Sequence, residues 1–307
     1  MKHIILIVSM LGSAVLSSSA WAASNKDLAN VEPGNTLSQG EEYHKAPDWN
    51  ALPEAHFGEA VKRGYSIFMN TQQVKKQGFV GNGLNCTNCH LEGGRIANSS
   101  PMWAAYVSYP AYRGKNNKVN TYEDRLQGCF AYSMDGQAPE AVSQTIRDIT
   151  AYSYWLATDA KVNPKLPGRG FPALVAAQKP ADFDRGKEVY AENCAMCHGD
   201  NGEGRKVADR YVFPPLWGKD SYNWGAGMHK IDTAASFIKA NMPLSKANTL
   251  TDQQAWDVSM FINSHERPQD PRMTKSVAET AKKFHGKGSQ YGLPSPLDKH
   301  ILGTKAY

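Results

Sequence analysis

The sequence predicts an all-α protein made of two domains of the same kind in tandem, with extended arms at both ends. The pentapeptide pattern Cys-x-x-Cys-His occurs twice, at residues 86–90 and 194–198. Each copy follows a segment with an Arg-Gly pair and an aromatic residue four positions after the glycine. Each copy also precedes a segment with apolar residues at helical spacing. The chain therefore contains a diverged repeat of helix, motif, irregular segment and helix.

The two glycines indicate how the helices of each unit meet. Gly64 and Gly186 lie inside predicted amphipathic helices, where glycine costs about 1 kcal/mol relative to alanine. A close helix crossing compensates this cost, because it needs a residue without a side chain. The partner helices are predicted at residues 141–157 and 251–264, the second opening with Thr251 as N-cap.

This order of elements, seen twice, resembles the cytochrome c fold, which is small, all-α and wrapped around its haem. Residues 163–172 are rich in proline and glycine and read as a linker. The predicted organisation is a signal peptide at 1–22, an N-terminal arm at 23–54, cytochrome c-like domains at 55–160 and 182–267, a linker at 161–181 and a C-terminal extension at 268–307. The two arms have few apolar positions, which is compatible with a surface course or with partial disorder.

The N-terminus carries an export signal. A basic start is followed by an apolar run of 13 residues from Ile4 to Leu16, and then by the small-x-small pattern Ala20-Trp21-Ala22. The run is shorter than the roughly 20 apolar residues that span a bilayer. We therefore expect a cleaved leader and a periplasmic protein without stable membrane insertion.

The charge balance excludes one class of partner. Cleavage of the leader removes Lys2 and no acidic residue, which leaves 33 basic and 29 acidic side chains, or +4. This excess is too small to indicate nucleic-acid binding.

Four of the five cysteines belong to the repeated motif, which is the attachment pattern of haem c. The prediction is two covalently attached haems c, one on Cys86, Cys89 and His90, the other on Cys194, Cys197 and His198. The rival interpretations are a thioredoxin-like pair and a zinc site. The first leaves the doubled histidine unexplained, and the second needs four ligands around one ion.

Each iron needs a ligand opposite its histidine, and a methionine thioether there raises the haem potential. In the second unit Met242-Pro243 follows His198 by 44 residues, a spacing that resembles the ligand loop of many small cytochromes c. Met228 and Met260 are the competitors, although Met260 lies within a helical apolar stripe.

The first unit has no Met-Pro pair. Cys129 lies 39 residues after His90, and Met134 follows five residues later. Met134 as ligand would make the unit an electron carrier. Cys129 would place a thiolate on iron, and Arg125 one helical turn earlier would hold it as thiolate.

The segment Cys129-Phe130-x-x-Ser133-Met134, the Met-Pro loop and the two fused units closely resemble the dihaem thiosulfate dehydrogenases, or tetrathionate synthases. The resemblance covers nearly the whole mature chain. It implies His90 and Cys129 on the active-site iron and His198 and Met242 on the electron-transfer iron. It also implies Arg125 and Ser133 as substrate contacts, besides an external acceptor such as a small cytochrome c.

The expected substrates, thiosulfate and tetrathionate, are dianions. Arg125 could supply positive charge, as could the basic run of Arg113, Lys115 and Lys118, which is otherwise a solvated loop. Our mechanistic hypothesis is that the Cys129 sulfur bonds to the outer sulfur of one thiosulfate. A second thiosulfate then attacks this adduct and tetrathionate leaves.

Asn241 precedes the candidate ligand Met242, where some family members have a lysine that can compete for the iron. Branches with asparagine are associated with enzymes that also reduce tetrathionate, so the direction stays open. The role of Asn82-Gly83 is open as well.

Three rival functions remain. They are a dihaem electron carrier, a sulfur-oxidation cytochrome that loads thiosulfate onto a carrier protein, and a larger dihaem peroxidase.

Overall fold

The computed structural model describes residues 43–162 and 165–307. The helices in this part of the chain are α1 Ala55–Met69, α2 Leu91–Gly94, α3 Met102–Tyr106, α4 Tyr122–Gly128, α5 Gln144–Leu156, α6 Phe183–Asn193, α7 Ala195–His198, α8 Ile231–Asn241, α9 Asp252–Asn263 and α10 Val277–Phe284. The strands are β1 Ala111–Arg113, β2 Lys118–Asn120, β3 Arg205–Val207 and β4 Arg210–Phe213. The predicted signal peptide and most of the predicted N-terminal arm lie outside the described residues.

Helices α1 and α5 cross in close contact at the predicted glycine. A Cβ on Gly64 would lie 2.0 Å from the backbone oxygen of Asp148, so only glycine fits. Beside the crossing, Arg63 donates two hydrogen bonds to the buried Asp148 carboxylate, at 2.9 and 2.8 Å. The bidentate pair compensates the buried charge and fixes the register of the two helices.

The second unit repeats this crossing with helices α6 and α9. A Cβ on Gly186 would lie 2.0 Å from the Asp257 carbonyl oxygen. Arg185 is bidentate to Asp257 through Nε and Nη2, both at 2.8 Å. Thr251 caps α9 as predicted, accepting a hydrogen bond from the Gln254 amide while the Gln254 side chain accepts one from Thr251. The internal repeat therefore extends to the ion pair at each crossing.

The described part of the chain also contains two short antiparallel hairpins, which the sequence analysis did not predict. Strand β1 pairs with β2, and β3 pairs with β4. Each hairpin lies in the irregular segment that follows a Cys-x-x-Cys-His motif. Their strands are only three or four residues long and mostly exposed, which explains why the sequence pattern did not reveal them.

The C-terminal extension is ordered against the rest of the described chain. It contains α10, and its Tyr291 and Leu302 pack with Trp224 in a small buried cluster. Glu266 accepts hydrogen bonds from the Gly303 amide at 2.9 and 3.1 Å, which ties the end of the chain to the segment after α9. Within the described residues, no helix has the length and apolar character needed to cross a bilayer.

Candidate active site and haem-binding motifs

The first motif forms a tight turn after α1. Asn85 opens the turn with a capping box, in which its backbone N–H donates a hydrogen bond to the side-chain oxygen of Asn88 at 2.7 Å. The Thr71 hydroxyl donates to Cys86 Sγ at 3.3 Å. His90 Nδ1 donates to the Ser100 carbonyl at 2.6 Å, which orients the ring and would leave Nε2 as the nitrogen able to bind a metal.

The second motif has the same arrangement. It starts at the end of α6, and His198 Nδ1 donates to the Pro214 carbonyl at 2.8 Å. Burial lowers the pKa of His90 to about 4 and also lowers the pKa of His198, so both imidazoles are neutral, the form that binds a metal. Both motifs therefore fit a haem c, with two cysteines that could form its thioethers and a histidine whose tautomer is fixed by a carbonyl.

Cys129 lies where α4 ends and a single π-helical turn, Cys129–Ser133, begins. Its Sγ is 2.9 Å from Nη1 of Arg125, one turn earlier on the same helix. The negative charge of Cys129 is the largest cause of a raised Arg125 pKa. Burial, and to a smaller extent the charge of Cys129, raises the pKa of Cys86 and Cys89 to about 12. Cys129 thus has a guanidinium partner, and it is close enough to both thiols of the first motif for its charge to affect their pKa.

Met134, the competing sulfur, has a different environment. Its side chain is 2 % exposed and belongs to the apolar core of the first unit. Its amide donates to the Cys129 carbonyl at 3.0 Å, and its own carbonyl accepts from Gly81 at 2.9 Å. The Ser133 side chain is half-buried next to it.

The basic run between Arg113 and Lys118 forms the β1–β2 hairpin, and only one of its cations is directed inward by a described contact. Arg113 and Lys118 are paired across the strands and exposed. Lys115 is exposed as a whole residue, but its Nζ donates to the Gly225 carbonyl at 2.6 Å and lies 3.7 Å from the centre of the Tyr132 ring. Burial, then the charges of Arg272 and Arg125, lowers the pKa of Lys115 to about 7.

Arg272 is a cation of this region that the sequence analysis did not identify. Its guanidinium lies 5.2 Å from the centre of the same Tyr132 ring. The Asp270 carboxylate accepts hydrogen bonds from Arg272 at 2.9 and 2.6 Å and from His285 Nε2 at 2.8 Å. Asp270 therefore fixes the orientation of the Arg272 guanidinium. Arg272 lies in the C-terminal extension, and its local sequence carries no signal that would have singled it out.

Met242 follows α8 directly, and its amide donates to the Ile238 carbonyl at 2.8 Å. Met242 and Met228 both pack, partly buried, against the core of the second unit. Met260 lies within α9, where its sulfur is 3.7 Å from the Ser264 hydroxyl. The side chain of Asn241 donates to the Asn98 and Phe237 carbonyls, both at 3.0 Å. Asn241 therefore connects the Met242 loop to the segment that holds His90 through Ser100.

Comparison with known proteins gives the family. A family model for cytochrome c matches residues 183–266. Thiosulfate dehydrogenase from Stutzerimonas stutzeri (strain A1501) is 53% identical over 86% of this chain and 86% of its own length. Thiosulfate dehydrogenase from Thiomonas intermedia (strain K12) is 47% identical over 97% of this chain and 95% of its own length. The chain belongs to the thiosulfate dehydrogenase family.

A solved structure of this thiosulfate dehydrogenase family supports the fold. Thiosulfate dehydrogenase (TsdBA) from Marichromatium purpuratum, in its as-isolated form, superposes with a TM-score of 0.84 at 47% identity. The match covers 88% of this chain and 59% of that solved chain. The predicted cytochrome c-like fold and the family inferred from the Cys129 segment are therefore confirmed, and the protein is an oxidoreductase of the cytochrome c type that carries covalent haem c.

Proposed function

We propose that this protein is a periplasmic dihaem cytochrome c that oxidises two thiosulfate ions to tetrathionate. The observation that carries the proposal is Cys129, which lies near the thiols of the first haem motif with the Arg125 guanidinium 2.9 Å from its sulfur. An electron carrier needs neither group. The relatives named thiosulfate dehydrogenase at 53% and 47% identity support the same substrate.

The proposed ligand sets are His90 and Cys129 for the first iron and His198 and Met242 for the second. Cys86, Cys89, Cys194 and Cys197 hold the porphyrins by thioethers. When bound, the haems supply one-electron acceptors, so that two electrons pass singly from the site to an external acceptor such as a small cytochrome c. The proposed haem domains are residues 55–160 and 182–267, and residues 1–22 are the proposed signal peptide, removed in the mature protein.

The substrate site is proposed around Tyr132, whose ring is contacted by Lys115 and Arg272, and beside Arg125, whose charge contributes to the lowered pKa of Lys115. Arg125 faces the sulfur of Cys129, and Arg272 faces the carboxylate of Asp270. The Lys115 ammonium contacts the Gly225 carbonyl and the Tyr132 ring, and neither of these groups is a carboxylate. Because a cation is stabilised by an opposite charge, binding of a thiosulfate dianion would raise the lowered pKa of Lys115 and keep it charged. Ser133, four residues after Cys129, is the proposed neutral contact.

The chemistry proceeds in two steps whose atoms and electrons balance. In the first, the Cys129 thiolate forms a sulfur–sulfur bond to the outer sulfur of one thiosulfate, and the pair loses two electrons. In the second, the outer sulfur of another thiosulfate attacks the same sulfur atom of the adduct, tetrathionate leaves, and the Cys129 thiolate is regenerated. Arg125 stabilises the thiolate as nucleophile in the first step and as leaving group in the second. Both steps are reversible, so the site also supports tetrathionate reduction.

The proposal is tested by anaerobic turnover of the purified holoprotein with thiosulfate and ferricyanide, with tetrathionate quantified directly. We expect one tetrathionate for each pair of thiosulfates and each pair of ferricyanides consumed. The alternative function is a dihaem electron carrier without substrate chemistry of its own. That alternative would be established if the protein neither oxidised thiosulfate nor reduced tetrathionate while its haems could still be reduced and reoxidised reversibly.

Exchanging Met242 for histidine tests the second ligand set. Because a thioether raises haem potential and an imidazole does not, Met242→His is expected to lower the potential of one haem, on the order of 100 mV. Redox titration followed by optical spectroscopy measures the shift. Met228→Leu is the matched control and should leave both potentials in place. A shift in the Met228 variant alone would assign the ligand to Met228.

A further inference from the structure

The turn that carries Cys129 is held by groups from outside its own helix. The last carbonyls of a helix have no partner within the helix, and buried carbonyls need a donor from elsewhere. Here each of the last three carbonyls of the π-turn accepts a hydrogen bond. Asn223 Nδ2 donates to Ala131 at 2.9 Å, the Asn223 amide donates to Tyr132 at 3.2 Å, and Asn82 Nδ2 donates to Ser133 at 2.8 Å.

Both asparagines are fully buried, with 0 % of their surface exposed, and their amides are fully engaged. Asn82 Nδ2 also donates to the Ser221 carbonyl at 3.0 Å, and its Oδ1 accepts from the Leu84 amide at 3.1 Å. Asn223 Nδ2 also donates to Asp135 at 2.8 Å, and its Oδ1 accepts from the Gly225 amide at 3.0 Å. Neither side chain can turn away without leaving a buried group unpaired.

The donors come from distant parts of the chain. Asn223 is 92 residues from Ala131, and Asn82 is 51 residues from Ser133. The Asn223 segment also approaches the turn closely, because a Cβ on Gly225 would lie 2.5 Å from the Tyr132 ring. The Gly225 carbonyl in turn accepts the hydrogen bond of Lys115. A single short segment of the second half of the chain thus contacts the backbone after Cys129, the ring of Tyr132 and the Lys115 ammonium.

We propose that Asn223, assisted by Asn82, is a positioning residue for the Cys129 sulfur. The side-chain amides of Asn223 and Asn82 fix the carbonyls of Ala131 and Ser133, and the Asn223 backbone amide fixes the carbonyl of Tyr132. Together they set the position of the π-turn and therefore where the Cys129 sulfur lies relative to Arg125. The active site is completed only when the segment Ser221–Gly225 is docked on the first unit. This inference rests on the proposed function, because it assumes that Cys129 is the ligand and the nucleophile.

Two substitutions of Asn223 distinguish a role in positioning the Cys129 sulfur from a role in the stability of the fold alone. Asn223→Ala removes all three side-chain hydrogen bonds, and Asn223→Asp keeps the shape but replaces the donor to Ala131 and Asp135 by a second acceptor. Asn263→Ala is the matched control. It removes another fully buried side-chain amide, whose Oδ1 accepts hydrogen bonds from Tyr222 and Arg267 and which makes none to the π-turn.

The measurements are near-infrared and low-temperature EPR spectra of each holoprotein, followed by kcat and KM for thiosulfate. Both Asn223 variants are expected to lose or split the thiolate signature while the methionine-ligated haem keeps its spectrum. Their kcat should fall by roughly 10- to 100-fold, because a small displacement of a reacting group is enough for such a loss. Asn263→Ala should keep the thiolate signature and kcat.

The inference would be overturned if the Asn223 variants kept the wild-type thiolate spectrum and kcat. Their only defect would then be a loss of stability like that of Asn263→Ala. A wild-type protein without a thiolate signature would instead overturn the proposed ligation, and this inference with it. The wild-type spectrum therefore distinguishes the two failures.

Discussion

Cys129→Gly is expected to abolish tetrathionate formation while both haems stay attached. The substitution removes the nucleophile and leaves the two Cys-x-x-Cys-His motifs intact. Loss of a nucleophile that acts together with an activating partner lowers kcat by roughly 1,000-fold or more. The measurement is anaerobic turnover with thiosulfate and ferricyanide, with haem content determined on the same sample from the pyridine haemochrome spectrum.

Met134→Leu is the control for this result, since it removes the other candidate sulfur of the first unit. Met134 is buried in the apolar core, where leucine is a volume-conserving exchange that costs less than about 1.5 kcal/mol. We expect Met134→Leu to keep both turnover and the thiolate signature. If Met134→Leu were inactive and Cys129→Gly active, the first iron would be methionine-ligated and Cys129 would have no role in the reaction.

Gly186→Ala is expected to destabilise the protein by roughly 1 to 3 kcal/mol, the usual cost of overpacking. Helix propensity alone predicts the opposite sign, since alanine is favoured over glycine by about 1 kcal/mol inside a helix. The added Cβ would lie 2.0 Å from the Asp257 carbonyl oxygen, and that backbone atom cannot move away without separating α6 from α9. Gly64→Ala should behave in the same way, because its Cβ would meet Asp148 at the same distance.

The free energy of unfolding, measured by denaturant titration of the holoprotein, checks this prediction. Gly286→Ala is the matched control, because a Cβ there has nothing within 4 Å. It should change the free energy of unfolding by less than about 1 kcal/mol. A stabilised Gly186→Ala protein would show that the two helices are further apart than described.

The parts of the fold that the sequence predicted are those with a strong local signal. A glycine inside an amphipathic pattern is unfavourable unless another helix approaches, and this reasoning located both crossings. Thr251 and Gln254 form a capping box whose partners are three residues apart, so the start of α9 could be read directly. The two hairpins could not be predicted in this way, because their strands are only three or four residues long and mostly exposed, which leaves no periodicity to detect.

The candidate site likewise contains contacts that the sequence predicted from local spacing and contacts that it could not predict. Arg125 and Cys129 are one helical turn apart, and their proximity follows from helix geometry. Arg272 reaches Tyr132 across 140 residues of chain, and its orientation depends on Asp270 and His285. Asn82, whose role the sequence left open, donates hydrogen bonds to the carbonyls of Ser133 and Ser221, both distant in the chain. Such contacts are consequences of the folded structure and have no local pattern.

The most direct test of the central claim is a search for the sulfur adduct on Cys129. Wild-type holoprotein is acid-quenched during anaerobic turnover with thiosulfate, and the peptide that contains Cys129 is analysed by mass spectrometry. We predict an addition of one S₂O₃ unit on Cys129, which disappears on treatment with a thiol reductant. Persistent absence of the adduct from this peptide while tetrathionate accumulates would contradict the mechanism.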